Sequence, residues 1–277
     1  MPSPSASARE QAVDAILGWY GRGARDLPWR RTRDPYAILV SEVMLQQTQV
    51  SRVVERYLRW IERWPTAGGL AAADRRDVLA AWVGLGYNSR AVRLHEACIA
   101  VARHGWPADA AGLRRLPGIG PYTAAAVASF AFGERVAAVD TNAVRIAARL
   151  GLGDPHELLP EAPEHAVTWN QAAMELGATV CRARDAACHR CPAERWCASA
   201  GRVVIPPRAA AGSRVRFEDT DRYVRGRIVA ALAAGDELPD GIAPERLERA
   251  VEALCRDGLL ERTGSGPRLA AAADERA

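Results

Sequence analysis

The sequence predicts an all-α core, and three observations predict it. Apolar residues recur at helical spacing, as in Ala12, Ile16, Leu17 and Tyr20, in Val53, Val54, Tyr57, Leu58 and Ile61, and in Ala91, Leu94, Cys98 and Ile99. Aromatic runs of the strand kind are scarce. Pro and Gly break the pattern at DLPWR, RDPYA, RWPTAGG, GWPAD, LPGIGPY, LGDPHELLPEAP and VIPPRAAAGS, which cuts the first 205 residues into about ten short helices.

Composition narrows the chemistry. Of the 277 residues 49% are hydrophobic and 25% charged, an ordinary globular balance that excludes disorder throughout. The formal net charge is +4, and all 37 basic residues are arginine. Arginine stays protonated and is no amine nucleophile, so a lysine Schiff base, a Walker-type phosphate lysine and a Ser-Lys dyad are excluded. The first residues, MPSPSASAREQ, lack the apolar run of a signal peptide, and no later stretch approaches the roughly 18 unbroken apolar residues of a membrane helix. The expectation is a soluble cytoplasmic protein with no membrane association.

The first chemical candidate along the chain is Glu42, in DPYAILVSEVMLQQTQV. If Pro35 to Gln47 is mainly helical, Ile38, Leu39, Leu45 and Gln46 share its face. A carboxyl in such a helix lies either on an exposed stripe or in an apolar setting, and the second suits a general acid that must keep its proton near neutral pH.

In LPGIGPYTAAAVASFAFG, Gly118 and Gly120 bracket a tight turn and Pro121 suits the first position of a helix of small residues. This is the helix-hairpin-helix pattern, whose turn N–H groups bind a phosphate without reading a base. In VAAVDTNAVRIAARLGLG, Asp140 stands where an apolar run ends and a helix opens, with Asn142 two residues on. An N-cap aspartate is common as a cap alone, but it is also the setting for an anion that stabilises a developing cation.

Six cysteines are present, and Cys181, Cys188, Cys191 and Cys197 follow a C-x6-C-x2-C-x5-C spacing. In a reducing compartment four thiolates this close form a metal site rather than disulfides, either a cubane [4Fe-4S] cluster or a structural zinc. Around them, Arg182, Arg184, Arg190 and Arg195 either bind phosphates or line a solvated loop. Cys98 and Cys255 occupy apolar helical positions and read as small core side chains. Past the IPPRAAAGSR stretch come two helical segments, around 223–234 and 244–256, then two short apolar runs flanking TGSG that suggest a hairpin. Helices followed by a hairpin suggest a winged-helix-like module.

Taken in order, these features resemble the MutY family of adenine DNA glycosylases, over about residues 12–208. The motifs are LPWR at 27–30, SEVMLQQTQV at 41–50, GLGYNSRAVRLH at 84–95, LPGIGPYTAAA at 116–126, VDTN at 139–142, WNQAAMELG at 169–177, and the four cysteines. The resemblance implies a two-lobed helix-hairpin-helix glycosylase fold with a [4Fe-4S] cluster loop. It places Glu42 at the catalytic acid and Asp140 at the catalytic aspartate, positioned by Tyr122 and Asn142. Trp29, Arg30, Leu45 and Gln171 match the pocket for the flipped adenine. Gln46, Gln47 and Tyr87 match side chains that enter or flank the duplex beside the opposing base, with Gly118 and Gly120 in the hairpin.

The implied reaction extrudes adenine from the duplex, with the Gln46, Gln47 and Tyr87 region filling the stack. Glu42 protonates adenine N7, and Asp140 stabilises the oxocarbenium-like sugar, electrostatically or by a transient covalent bond. The resemblance implies a monomer acting on double-stranded DNA that holds adenine opposite 8-oxoguanine or guanine. In the sister endonuclease III family a lysine forms a Schiff base at the position matching Tyr122, so a strong lyase activity is not expected here. Thymine mismatch glycosylases of the fold also carry tyrosine there; Glu42 within SEVMLQQTQ favours adenine. The alternatives are a thymine or uracil mismatch glycosylase and a non-catalytic cluster-bearing DNA-binding protein.

Two departures from the family pattern stand out. Tyr87-Asn88 replaces a frequent Tyr-Tyr, and the roughly 60 residues after Arg214 are too few for the NUDIX-like domain that reads 8-oxoguanine in many members. The expected domains are 1–27 with 134–204 as the cluster lobe, 28–133 as the helical lobe with the hairpin, 205–214 as a linker, and 215–277 as the small C-terminal module.

Overall fold

The computed structural model describes residues 5–203 and 216–271. Ten α-helices occupy the first of these stretches: α1 (Ala6–Gly23), α2 (Pro35–Leu45), α3 (Val50–Arg63), α4 (Ala67–Ala71), α5 (Arg75–Trp82), α6 (Ser89–His104), α7 (Ala110–Leu113), α8 (Pro121–Phe132), α9 (Thr141–Leu150) and α10 (Pro163–Thr179). The second stretch holds α11 (Asp221–Ala234), α12 (Pro244–Arg256), and strands β1 (Leu260–Thr263) and β2 (Gly266–Leu269). The strands pair antiparallel across Gly264-Ser265, with Leu260 opposite Leu269 and Thr263 opposite Gly266. The all-α core, the two C-terminal helices and the hairpin follow the sequence reading. The expected linker at 205–214 lies outside the described residues. No helix is long and apolar enough to cross a membrane among the described residues.

The chain forms two compact units. The first comprises described residues 5–39, 107–115 and 119–203, and the second 40–106, 116–118 and 216–271. These units cut the chain differently from the sequence boundaries. Residues 107–115 and 119–133 join the cysteine-bearing unit because α8 packs against both α7 and α10. The C-terminal helices and hairpin are part of the second unit, because α11 lies along α5 and buries Val224, Ile228, Val229 and Ala233.

In the first unit, α1, α9 and α10 share a core that includes Ile16, Ile146, Leu150, Trp169 and Leu176. Asn170, buried on α10, ties an irregular segment to that core: its Nδ2 donates to Ser129 Oγ at 2.9 Å and the Val136 carbonyl at 2.8 Å, and its Oδ1 accepts from the Ala138 N–H at 3.0 Å. The segment leading to Asp140 is therefore held without a sheet, two of its backbone groups being met by one amide side chain.

The second unit holds a cluster of tryptophans in its core. Trp60 meets Trp64 and Trp82 edge to face, with centroids 4.8 and 5.4 Å apart. Beside them Arg90, near the start of α6 and 8% exposed, fills the end of α2. Its Nη1 donates to the carbonyls of Val43 at 2.7 Å, Met44 at 3.2 Å and Gln46 at 2.8 Å. Its Nη2 donates to the carbonyls of Leu85 and Gly86, each at 3.0 Å. The last carbonyls of a helix have no partner within it, so one guanidinium caps α2 and fastens it to the loop before α6. Replacing Arg90 with alanine leaves these carbonyls buried and unmatched; the expected loss, read from urea denaturation, is about 3 kcal/mol or more. A loss below about 1 kcal/mol would show that water meets them equally well.

Candidate active site and cysteine centre

Glu42 lies on α2 and is buried, 6% exposed, on a helix whose Ile38 and Leu39 are also buried. Of the two sequence alternatives, exposed stripe or apolar setting, the structure takes the second. Leu45 and Gln46 at the end of α2 are half-buried, and Gln47 is exposed. Gln47 and Tyr87 are the non-glycine residues with left-handed backbone among those described, at φ 54° and 49°. That region is unfavourable for a residue with a Cβ and persists where surroundings over-determine it. Here the surroundings are identifiable, since Arg90 binds the carbonyls of both Gln46 and Gly86, the residues just before them.

In the first unit Asp140 is the N-cap of α9, as its position in the sequence suggested. Its Oδ1 accepts from the Ala143 N–H at 2.8 Å and its Oδ2 from Asn142 Nδ2 at 2.5 Å. Asn142 is fixed in turn by Arg145, whose Nη2 donates to Asn142 Oδ1 at 2.6 Å and to the Gly177 carbonyl at 2.9 Å. A side chain at Gly177 would place its Cβ 2.4 Å from Asn142 Cβ, so glycine is required on α10 for Asn142 to lie where it does. The Tyr122 hydroxyl, near the start of α8, is 3.6 Å from Met174 Sδ.

Arg30 and Gln171, both expected in the base pocket, meet through Tyr20. The Tyr20 hydroxyl donates to Gln171 Oε1 at 2.8 Å, and the Arg30 guanidinium lies 5.4 Å from the Tyr20 ring centroid. Trp29 is buried beside Arg30 in sequence. The organising group here is Glu175, which the sequence reading did not single out. It is 2% exposed and accepts from Arg25 Nε at 2.7 Å and from Arg30 Nη2 at 2.8 Å. Burial opposes its ionisation, yet hydrogen bonds from Arg25 and Arg30 outweigh burial and hold its carboxyl below the usual range. The signal was present: Glu175 falls one helical turn after Gln171 in WNQAAMELG.

In the hairpin, Gly118 adopts φ 71°, and a Cβ there would stand 2.5 Å from Arg93 Cβ. Gly120 is the N-cap of α8 at φ −82°, and Pro121 opens the helix as expected.

The four clustered cysteines come together. Cys181, Cys188, Cys191 and Cys197 line one cavity with Val180 and Ala186 among its walls. Among the described residues no group of three His, Cys, Asp or Glu side chains is arranged to hold a metal ion. Four soft thiols lining one cavity are nonetheless a donor set whose chemistry suits a thiolate-bound metal group. Burial pushes the Cys191 thiol up to about 11 and raises that of Cys197, so binding a metal there must displace protons. The loop is held from α9: Arg149 Nη1 donates to Cys181 Sγ at 3.2 Å and to the Arg182 carbonyl at 2.9 Å, and Cys197 Sγ donates to the Arg149 carbonyl at 3.1 Å. Arg145 Nε reaches the Cys181 carbonyl at 2.9 Å. Arg182, Arg184, Arg190 and Arg195 are exposed, Arg182 paired with Asp185 and Arg195 stacked on Trp196. Elsewhere Cys98 is buried and Cys255 half-buried.

Residues 40–170 match the HhH-GPD superfamily of base excision DNA repair proteins. The adenine DNA glycosylase of Mycobacterium tuberculosis is 40% identical over 96% of this chain and 96% of its own length. The chain belongs to the adenine DNA glycosylase family. The Mycolicibacterium smegmatis adenine DNA glycosylase is 42% identical, covering 91% of this chain and 93% of that one. With the Homo sapiens relative identity is again 42%, over 72% of this chain and 41% of the longer human protein. Among solved structures, a thermostable thymine-DNA glycosylase aligns at TM-score 0.65 and 27% identity, covering 71% of this chain and 98% of that one. An endonuclease III trapped covalently on DNA aligns at TM-score 0.62 and 23% identity, over 71% of this chain and 97% of its own, a likeness of fold.

The depressed Glu175 carboxyl has a stability consequence. A carboxyl whose folded pKa lies below its unfolded value contributes stability above about pH 4.3 and loses it as pH falls through the folded pKa. Glu175→Gln should therefore destabilise the family member by about 2 kcal/mol at pH 7, with the gap from wild type narrowing below pH 4 in urea titrations. A gap independent of pH would remove the charge from the explanation.

Proposed function

We propose that this family member is a monofunctional adenine DNA glycosylase of base excision repair that acts as a monomer on double-stranded DNA, releasing adenine paired with 8-oxoguanine or guanine. The observation that carries the reading is the Asp140 carboxylate, fixed by Asn142 and the α9 N-terminus in a chain 40% identical to adenine DNA glycosylases. Asp140 stabilises positive charge on the sugar as the glycosidic bond lengthens. Glu42, buried on α2, donates the proton that turns adenine into a leaving group. Trp29, Arg30, Leu45 and Gln171 receive the extruded base, with Tyr20 and Glu175 orienting the last side chains of that pocket in the first unit. Gln46, Gln47 and Tyr87 support the duplex beside the opposing base, and the Gly118–Gly120 turn binds a phosphate. The lack of any lysine supports release without strong lyase activity, leaving the N-terminal amine as the one remaining amine in this sequence.

Cys181, Cys188, Cys191 and Cys197 would hold a [4Fe-4S] cluster, which when bound supplies a structural cross-link for the loop between Cys181 and Cys197. Arg145 and Arg149 then join that loop to the helix capped by Asp140.

A second reading, thymine release from mismatches, is favoured by the structural likeness to a thymine-DNA glycosylase. Single-turnover assays on duplexes holding A:8-oxoguanine, A:G and T:G, with alkali-dependent strand cleavage as readout, separate the two. Adenine release is expected, and thymine release without it would overturn the proposal. Glu42→Gln should slow adenine release by about 10²-fold or more while duplex binding persists. For the cysteine centre, the purified protein should contain about four irons and inorganic sulfide with broad visible absorption. Stoichiometric zinc without iron would refute the cluster.

A further inference from the structure

The C-terminal helix pair is fastened to the rest of the second unit at both ends of α11. At its end, Arg76 Nε donates to the Ala233 carbonyl at 3.0 Å. At its start, the Arg222 guanidinium lies over the Tyr87 ring, 4.2 Å from the centroid, and Nη1 donates to the Tyr87 hydroxyl at 3.3 Å. The approach is so close that a Cβ on Gly86 would stand 2.7 Å from Arg222 Nη2. The buried Arg90 guanidinium is 5.7 Å from the same ring. One tyrosine thus carries two cations.

Among the described residues of the unit, their charge meets no carboxylate in an ion pair. Arg225, Arg262 and Arg268 pair with Asp257, Glu248 and Glu261. Among the described residues no carboxylate pairs with Arg222 or Arg90, although Glu218, Asp219 and Asp221 lie close to Arg222 in sequence. Burial, and after it the charge of Arg222, lowers the Arg90 pKa to about 10. Like charges held together on an exposed, left-handed tyrosine cost energy in the free protein, and an anion relieves that cost. A base edge carries no net charge, whereas a phosphodiester does, and its oxygens match the fork of a guanidinium already flattened on a ring.

We propose that Arg222, stacked on Tyr87, forms a binding site for a DNA backbone phosphate, so that the C-terminal helix pair is a sequence-independent duplex anchor. The proposal rests on DNA being the substrate of this chain.

The test measures Kd against salt for duplexes with a tetrahydrofuran abasic analogue opposite guanine and opposite 8-oxoguanine. Neutralising one phosphate contact in Arg222→Gln should lower the slope of log K against log salt by about 1 and weaken both duplexes by the same factor. Arg222→Lys should keep the slope, and Arg225→Ala, on the same helix but paired with Asp257, should leave it unchanged. An unchanged slope in Arg222→Gln overturns the site. So does an equal slope loss in Arg225→Ala, or a loss confined to the 8-oxoguanine duplex, which would indicate a base contact. If the wild type releases no adenine, the proposed activity fails, while the salt slope still decides the phosphate site.

Discussion

Much of the second unit depends on one buried guanidinium. Arg90 joins the carbonyl end of α2 to the carbonyls of Leu85 and Gly86, and so determines the conformation of two loops at once. Few side chains do this. A planar, permanently charged fork carries enough N–H groups to meet several carbonyls, while lysine offers a point charge that is easily deprotonated on burial. Both left-handed residues, Gln47 and Tyr87, follow directly on carbonyls that Arg90 holds. Their strain is sustained from behind, by a group that does not itself face solvent.

The first unit has a comparable device in α9. Asp140 caps its start, Asn142 and Arg145 lie on its first turns, and Arg149 near its end grips the loop of Cys181. A single helix of ten residues thus carries the proposed catalytic carboxylate at one end and a hold on the cysteine loop at the other. The connection runs through hydrogen bonds of 2.5 Å from Asn142 to Asp140 and 2.6 Å from Arg145 to Asn142. Hydrogen bonds thus run without a break from the Cys181 carbonyl through Arg145 and Asn142 to the Asp140 carboxylate.

The C-terminal segment shows how a small module gains a role by placement. Its helix α11, which buries Val224, Ile228, Val229 and Ala233, packs on α12 within the segment and equally on α5 outside it. Composition suggested a separate module, whereas the packing on α5 merges it with the second unit. Packing there also delivers Arg222 to Tyr87, a pairing that no spacing in the sequence announces.

Local chemistry was legible in the sequence. The helices follow from apolar period and Pro-Gly breaks, Asp140 from its place at a helix start, the cysteine cavity from tight spacing, and the hairpin strands from two runs around TGSG. Each rests on residues within a few turns of one another, and short-range periodicity, capping and ligand spacing are properties of local chain geometry. The partners were not legible. Glu175 with Arg25 and Arg30, Arg90 with the end of α2, Gly177 beneath Asn142, and Arg222 on Tyr87 join residues dozens to more than a hundred positions apart. For an arginine-rich chain without lysine, sequence fixes where charge is available; only tertiary packing decides which carbonyl, carboxylate or ring each guanidinium meets, because that depends on burial and distance rather than on order along the chain.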